Sequence, residues 1–504
     1  MAAYYVYGKY TIINRLREYR AIPHVAAVGA LTALSVHTFV YQFRFVVDPL
    51  RESIGEGIAF PVFMTGAVVT VGLVFFLVWS VIVKRFAGRL LSAIRGLDRF
   101  EWGLIVAFIL FSLVINAFVL TKTSAFINPL DDGSSIYDVV FTTDSSLLME
   151  ARDAFSSPNN AQNDFRHLLF GIVTQPISMV ATPLASLCYY ISQSIGGELP
   201  LATFLAFLIT VAQGAMFVVA AILIGRILRR EMSTRYANLF AVLYLCTFSS
   251  LIFTMTLEQY AVVQLALVVL VYCIVTGARA QIPLFLAGTS LITSFAMFPF
   301  VLLRGRDGWA TKLRRTLIFA LLTCVAIAFF GQLYDLFIIR SQWNSLQAYA
   351  YGDRITQLDK LEQFYAFIPT MFFAPPVSFA EGGVRLGSAN PFMMLASGSI
   401  LLSILVVAIK NRNKEAVRVS AYWAIFSFLL LGLFGWGAVE HSMILYSSYF
   451  TWSYLLLLAI GYARMFGNHR RAGAWLLLAA TTVTGLYNLT SILDYVPHLH
   501  AFRF

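Results

Sequence analysis

Apolar stretches of about twenty residues recur along the whole chain and limit its possible folds more than any other feature. A stretch of that length crosses the hydrocarbon core of a bilayer as one helix. Of the 504 residues, 59% are hydrophobic and only 12% are charged, which is about half the charged share of a soluble domain. The sequence therefore predicts an all-α polytopic membrane protein, a single domain over residues 1–504 with about eleven to thirteen transmembrane helices.

The basic residues predict an orientation for these helices. Basic segments between transmembrane helices concentrate on the cytoplasmic side. Because Lys9 and Arg20 precede the first apolar stretch, at about 24–43, we expect a cytoplasmic N-terminus. The same rule predicts four further cytoplasmic segments: 226–235, 304–315, 410–418 and 464–471. The net charge of +11 is explained in this way, and we expect no nucleic-acid partner.

We expect the segment 168–193 not to cross the membrane. If it crossed, the next span, at 199–226, would carry Arg226 to the outer side, against the positive-inside rule. Pro176 and Pro183 fall within the segment, and proline interrupts or kinks a helix. The sequence therefore predicts a broken helix pair that lies at the outer surface or dips into the membrane.

A second stretch, 281–303, allows two interpretations. The basic residues at its two ends, Arg279 and Arg304, both fit a cytoplasmic position. The stretch is therefore either a hairpin of short helices or a place where the predicted alternation of spans between the two sides of the membrane is wrong.

Two long segments are predicted on the outer side: a first outer loop at 122–198, with interfacial helices, and a second at 339–388. Loops of this length in a compact protein are usually functional or disordered. Seven of the 25 acidic residues fall within residues 122–167. This concentration of carboxylates in a basic protein indicates a functional site on the outer face. The alternative, for most of these acidic residues, is a solvated loop surface.

Asp144 is the leading candidate within the acidic loop. It follows Thr142 and Thr143 and precedes a helically spaced run of apolar residues, so it lies at a predicted helix N-terminus. There the helix dipole favours the ionised carboxylate that a general base requires. The alternative is that Asp144 only caps the helix. Three other acidic candidates lie in the same loop: Asp131, Asp132 and Asp153.

Arg166 and His167 lie where the chain is predicted to meet the membrane again. Cations at that depth suit the phosphate of a membrane lipid, although they also fit snorkelling residues at a helix end. Further candidates for binding substrate or phosphate are Arg340 and Arg354 of the second loop, with Glu440, His441 and Tyr446 near the outer end of a later span.

The sequences Thr143-Asp144-Ser145 and Arg166-His167-Leu168-Leu169-Phe170, with the many-helix architecture, resemble the GT-C glycosyltransferases. The resemblance implies an inverting hexosyl or pentosyl transfer from a polyprenyl-phosphate carrier on the extracytoplasmic face, with Asp144 as the general base. It also implies a bacterial inner (plasma) membrane, contact with membrane lipids, and a glycan, lipid or protein acceptor. Serine replaces the glutamate that often follows the aspartate, so we expect metal-independent chemistry and no cofactor.

Two other functions fit a many-helix protein with large outer loops. A transporter or flippase would move a lipid-linked saccharide without breaking a bond, and it would place ionisable residues near the middle of the membrane. An O-antigen polymerase or ligase would depend on arginine-rich outer loops, whereas the first loop here is acidic. The clustering of charge on one face favours an enzyme.

Overall fold

The computed structural model describes most of the chain in two compact units. The first unit comprises residues 1–99 and 324–333, and the second comprises 100–323 and 334–504. The described residues are 22–42, 59–126, 140–141, 167–305, 307–329, 355–380, 383–387, 390–438, 443–467 and 469–499.

The first unit contains helices α1 (Ile22–Gln42) and α2 (Ala59–Arg95). They pack against each other, and Trp79 Nε1 donates a hydrogen bond of 2.6 Å to Ser35 Oγ. Large apolar side chains of α2, such as Leu73, remain exposed. Exposed apolar residues along a 37-residue helix suit contact with lipid.

The other helices follow in chain order: α3 (Arg99–Leu120), α4 (Phe170–Ser194), α5 (Leu201–Leu228), α6 (Thr234–Cys246), α7 (Phe248–Met255), α8 (Tyr260–Thr276), α9 (Gln281–Ser290), α10 (Phe298–Leu302), α11 (Trp309–Phe329), α12 (Gln357–Phe367), α13 (Pro391–Lys410), α14 (Glu415–Ser427), α15 (Ser447–Met465) and α16 (Arg470–His498). Short 3₁₀ helices cover Ile292–Met297, Ile368–Met371 and Met443–Tyr446, and a π-helical turn, Phe428–Leu433, continues α14. Strands β1 (Val377–Ala380) and β2 (Gly383–Leu386) form an antiparallel hairpin.

Among the described residues, seven helices are long and apolar enough to cross a bilayer, or eight if α6 and α7, bent by 50°, form one span. The described part of the chain is therefore all-α apart from one small hairpin, as in an α-helical membrane protein. The count is lower than the eleven to thirteen predicted. Two predicted spans explain part of the difference, because 258–278 folds as the 17-residue α8 and 281–303 is divided into short helices.

One end of the second unit, which we call the basic end, is formed by residues near 101, 226–236, 274–278, 302–307, 410–418 and 462–473. Glu101, only 2% exposed, pairs with Arg226 at 2.7 Å and with Arg229 at 3.3 Å. Arg304 contacts Glu415 at 3.1 Å, Lys414 pairs with Glu231, and Tyr236 donates to Phe466 O at 3.5 Å. The four basic segments predicted to be cytoplasmic thus lie together, while the side of the membrane they face stays a prediction.

Residues 281–304 form a hairpin of short helices, the first of the two alternatives that the sequence allows. The hairpin leaves the basic end through α9 and returns there, where Arg304 Nη1 donates a 2.6 Å hydrogen bond to Ile274 O at the end of α8. Its tip, residues 290–294, lies deep in the unit and contacts Tyr449 of α15.

The opposite end of the second unit, which we call the loop end, brings together the described parts of both long loops. It is formed by residues near 120–126, 140–141, 167–170, 256–260, 372–387 and 495–499. Val140 forms a β-bridge with Val384 of β2, and Phe141 N donates to Val384 O at 3.0 Å. Leu257 N donates to Phe126 O at 3.3 Å. The first and second long loops therefore touch.

Helix α4 is continuous over its 25 residues, so the predicted break at the prolines is wrong. Each proline removes only one backbone donor. Hydroxyl groups of the same helix add bonds to its carbonyls, from Thr174 to Phe170 O at 2.8 Å and from Ser186 to Thr182 O at 3.0 Å. The packing of Ala181 and Ala185 against the first turns of α5 stabilises the helix through Pro176 and Pro183.

Helix α4 begins and ends on the side of the loop end. The pairing of Glu101 with Arg226 makes α3 and α5 antiparallel, so α5 starts at the loop end beside Leu120. Ala181 and Ala185 of α4 pack in the same apolar cluster as the first turns of α5. Residues 195–200 between the two helices reach at most about 20 Å, less than the roughly 30 Å of a bilayer core. That α4 lies at a membrane surface stays a prediction.

Candidate functional site

The chain unwinds at residues 256–259, between α7 and α8, and two buried side chains hold this break. Gln213 Nε2 donates to Phe253 O at 2.8 Å and to Thr256 O at 3.0 Å, and its Oε1 accepts the N–H of Glu258 at 3.2 Å. Asn116 Nδ2 donates to Thr254 O at 3.1 Å. Irregular backbone inside a membrane protein persists where the surrounding protein satisfies its polar groups, and here α3 and α5 do so.

Glu258 lies in this break and is completely buried. Its Oε1 accepts the backbone N–H of Gln259 at 2.8 Å, directly before α8. The carboxyl group of Glu258 therefore lies at the N-terminus of α8. Glu258 is not among the residues predicted from the sequence, because it separates two apolar spans and resembles a simple boundary between them. A lone acidic residue in an apolar run is the signal that could have found it.

His167 connects the start of α4 to the tip of the re-entrant hairpin. Its Nδ1 lies 2.7 Å from Ser290 O, and because a carbonyl only accepts, Nδ1 carries the proton and donates. Leu169 N donates to Thr289 O at 2.9 Å beside it. The predicted site residue His167 is thus fixed at the loop end by the hairpin.

Three tyrosines complete the site. The ring centroid of Tyr260 lies 6.3 Å from that of His167 and 5.1 Å from that of Tyr446. Tyr449 is 6.5 Å from Tyr260, and its hydroxyl bonds Thr293 at 2.9 Å. Tyr260 therefore brings together two residues, His167 and Tyr446, that were predicted separately from the sequence.

Helix α12, in the second long loop, packs on the π-helical end of α14. Gln357 Nε2 donates to Gly432 O at 3.1 Å and to Leu433 O at 3.2 Å, and Lys360 Nζ lies 3.5 Å from Phe434 O. Lys360 is almost fully buried, and burial lowers the pKa of its ammonium group. Lys360 is therefore a cation of the second long loop that the sequence analysis did not select. It lies beside the end of α14.

Trp436 follows the end of α14 and connects it to Tyr446. Its Nε1 donates to Tyr446 OH at 2.6 Å. It stands between two glycines with positive φ, Gly435 at 81° and Gly437 at 75°, a conformation that glycine adopts without strain. These turns lead toward Glu440 and His441.

Phe141 holds the start of the acidic segment. Its φ of 53° is unusual for a side chain of this size. The buried ring packs edge-on against Phe248 and Tyr495, at 5.8 Å from each. Strain of this kind persists only where the surrounding structure enforces it. Asp144 follows three residues later.

Nine predicted site residues lie outside the described residues: Asp131, Asp132, Asp144, Asp153, Arg166, Arg340, Arg354, Glu440 and His441. The described part of the chain contains no group of three His, Cys, Asp or Glu side chains that could hold a metal ion. Since most of the predicted acidic residues are outside that part, metal independence stays a prediction.

Comparison with known proteins gives no family. No protein-family model, no curated protein and no solved structure matches the chain. The site must therefore be interpreted from its own chemistry.

Proposed function

We propose that the chain is a membrane glycosyltransferase that moves a sugar from a polyprenyl-phosphate carrier to an acceptor hydroxyl at the loop end. The observation that carries the proposal is the meeting there of both long loops with the break at 256–259 and the hairpin tip at 290–294. Irregular backbone in a membrane protein belongs where protein or a water-filled cavity satisfies it, and a transferase needs a polar site of this kind beside the lipid. The carrier enters sideways from the bilayer.

Asp144 is the proposed general base. Phe141 is fixed at the loop end, and three residues reach at most about 10 Å from it. The carboxylate accepts the proton of the acceptor hydroxyl as its oxygen attacks the anomeric carbon. The bond from that carbon to the phosphate oxygen breaks, configuration inverts, and polyprenyl phosphate leaves. General-base assistance of this type contributes roughly 10² to 10⁴ in rate.

Cations stabilise the departing phosphate in this proposal. The candidates from the sequence are Arg166, His167, Arg340 and Arg354, with His441 behind them. The buried Lys360 joins them. Charge stabilisation by fixed groups in a water-poor site is usually a large part of catalysis. No metal ion or cofactor is required in the step.

The proposed location is a bacterial inner (plasma) membrane, with the N-terminus in the cytoplasm and the loop end outside. The contacts among the four basic segments support this orientation, because they place one predicted cytoplasmic surface at a single end. Single cysteines introduced at positions 150 and 350 should react with a membrane-impermeant maleimide from outside intact cells. Reaction only after permeabilisation would contradict the orientation.

A transporter or flippase of a lipid-linked saccharide is the second candidate. The broken helix and the re-entrant hairpin favour it, since transporters bind substrates at interrupted helices. The two functions differ in their product, because only a transferase releases polyprenyl phosphate.

The test is turnover by purified protein in nanodiscs with a panel of polyprenyl-phosphate hexoses and pentoses and with glycan, lipid and peptide acceptors. Wild type should release polyprenyl phosphate, and Asp144→Asn should lose at least about a hundredfold in rate. Asp359→Asn, at an exposed capping position of α12, is the matched control and should remain active. Full activity of Asp144→Asn would discard Asp144 as the base, and transbilayer movement without release would favour the transporter.

A further inference from the structure

Two buried hydroxyl groups beside the site have no hydrogen-bond partner among the described residues. They are Thr256 Oγ1, in the break before α8, and Ser290 Oγ, at the end of α9, and both residues are completely buried. An unsatisfied buried polar group costs roughly 1–3 kcal/mol. Such groups are uncommon in native proteins, and a buried hydroxyl without a protein partner often binds a water molecule or a ligand.

Two hydroxyls close to them in the sequence are satisfied within their own helices. Thr254 Oγ1 donates to Ser250 O at 2.7 Å, and Thr289 Oγ1 donates to Phe285 O at 2.7 Å, each within its own helix. Thr256 and Ser290 stand at helix ends, where the chain departs from helical geometry. Their hydroxyls are left for another partner.

The backbone carbonyls of Thr256 and Ser290 connect both residues to Glu258 and Tyr260 through one intermediate side chain each. The carbonyl of Ser290 accepts from His167, whose ring packs on Tyr260. The carbonyl of Thr256 accepts from Gln213, which also accepts the N–H of Glu258. Thr256 and Ser290 are therefore linked, through Gln213 and His167, to the same short stretch, Glu258 to Tyr260, at the loop end.

The chemistry of this region suits a sugar ring. A carboxylate accepts hydrogen bonds from hydroxyl groups, and serine and threonine both donate and accept. Pockets for small molecules combine an apolar or aromatic wall with a few such polar groups, and Tyr260 supplies the aromatic ring. A phosphate does not suit Glu258, because like charges repel.

We propose that Thr256, Glu258 and Ser290 bind the hydroxyl groups of the transferred sugar, with Tyr260 as one wall of the subsite. This inference rests on the proposed function and locates the sugar within it. The phosphate of the carrier lies beside this subsite, with the cations that include His167.

The test compares the affinities of two ligands in nanodiscs: the polyprenyl-phosphate hexose or pentose that wild type turns over best, and polyprenyl phosphate without sugar. Ser290→Ala and Thr256→Val should each weaken binding of the sugar-bearing ligand about tenfold, the equivalent of about 1.4 kcal/mol, and leave the bare ligand unaffected. Their melting temperatures without ligand should equal or exceed that of wild type, because each change removes an unsatisfied group. Glu258→Gln should show the same ligand selectivity.

Thr289→Val is the matched control, since its hydroxyl is satisfied within α9, and it should bind both ligands as wild type does. Unchanged sugar affinity in Ser290→Ala and Thr256→Val would overturn the subsite, as would an equal loss for both ligands. If Glu258→Gln does not fold, the affinities of Ser290→Ala and Thr256→Val decide whether the subsite binds the sugar. If wild type turns over none of the sugar-bearing ligands, the proposed function itself fails, which is a different result.

Discussion

The rings of Tyr260 and Tyr446 pack edge to face, with their centroids 5.1 Å apart. The contact joins the first turn of α8 to the 3₁₀ turn that precedes α15, next to His167. Residues distant in sequence thus form one aromatic group at the loop end. Substitution of polar residues in and around this group tests how much each hydrogen bond contributes to the stability of the protein.

Tyr446→Phe should keep the ring contact with Tyr260 and lose the acceptor for Trp436 Nε1. The loss of one buried hydrogen bond should lower the free energy of unfolding by about 1 kcal/mol. Hydrogen exchange at residues 435–438 should become faster. Tyr190→Phe, at a residue 70% exposed, is the control and should change neither quantity. Unaltered exchange in Tyr446→Phe would show that this bond does not hold the turn.

Gln213→Leu should destabilise the protein by about 3 kcal/mol, because it removes all the hydrogen bonds by which Gln213 holds the break at 256–259. It should also weaken binding of the sugar-bearing carrier, since Glu258 loses its support. Thr210→Val lies one turn earlier on α5, where the hydroxyl bonds only its own helix, and should cost less than about 1 kcal/mol. Chemical unfolding and ligand titration measure both effects. Equal stability of the two variants would contradict this role of Gln213.

Phe141→Ala should destabilise by about 3 kcal/mol, because the ring packs against Phe248 and Tyr495. Phe141→Gly should be more stable than Phe141→Ala by about 1 kcal/mol, the reverse of the usual order, since glycine adopts positive φ without strain. Both variants should lose transferase activity if Phe141 positions Asp144. Thermal unfolding and turnover give the two readouts, and a less stable glycine variant would argue against strain at this position.

Glu101→Gln should destabilise by about 3 kcal/mol, because it leaves Arg226 and Arg229 without their shared carboxylate at the basic end. The site lies at the other end, so the affinity of the folded protein for a polyprenyl-phosphate sugar should not change. Chemical unfolding with ligand titration separates the two effects. A parallel loss of affinity would mean that the ends are coupled.

The sequence predicts the helical framework well, because long apolar runs and basic segments are local signals. The stretches at 24–43 and 199–226 fold as α1 and α5 almost within the predicted limits. The basic segments are predicted to lie on one side, and the structure places them at one end. For these elements, apolar stretches and the positions of basic residues are enough to predict the structure.

The site is less visible in the sequence because it depends on contacts between distant segments. His167 and Tyr446 could each be selected from local chemistry, but their shared neighbour Tyr260 could not. Glu258 and its support by Gln213 depend on where the chain unwinds, and the local signal there is a single acidic residue between two apolar runs. The prediction of a break in α4 is wrong for the same reason, since proline preference alone does not decide a helix within packed surroundings.

Photo-crosslinking of the carrier tests the central claim most directly. A polyprenyl phosphate whose sugar bears a diazirine would be added to the protein in nanodiscs and irradiated, and the labelled peptides would be identified by mass spectrometry. We expect labelling at the loop end, in peptides that contain His167, Glu258 or Ser290, and its loss when unlabelled carrier-linked sugar competes. Labelling confined to the basic end, at 226–235 or 410–418, would contradict the proposed site.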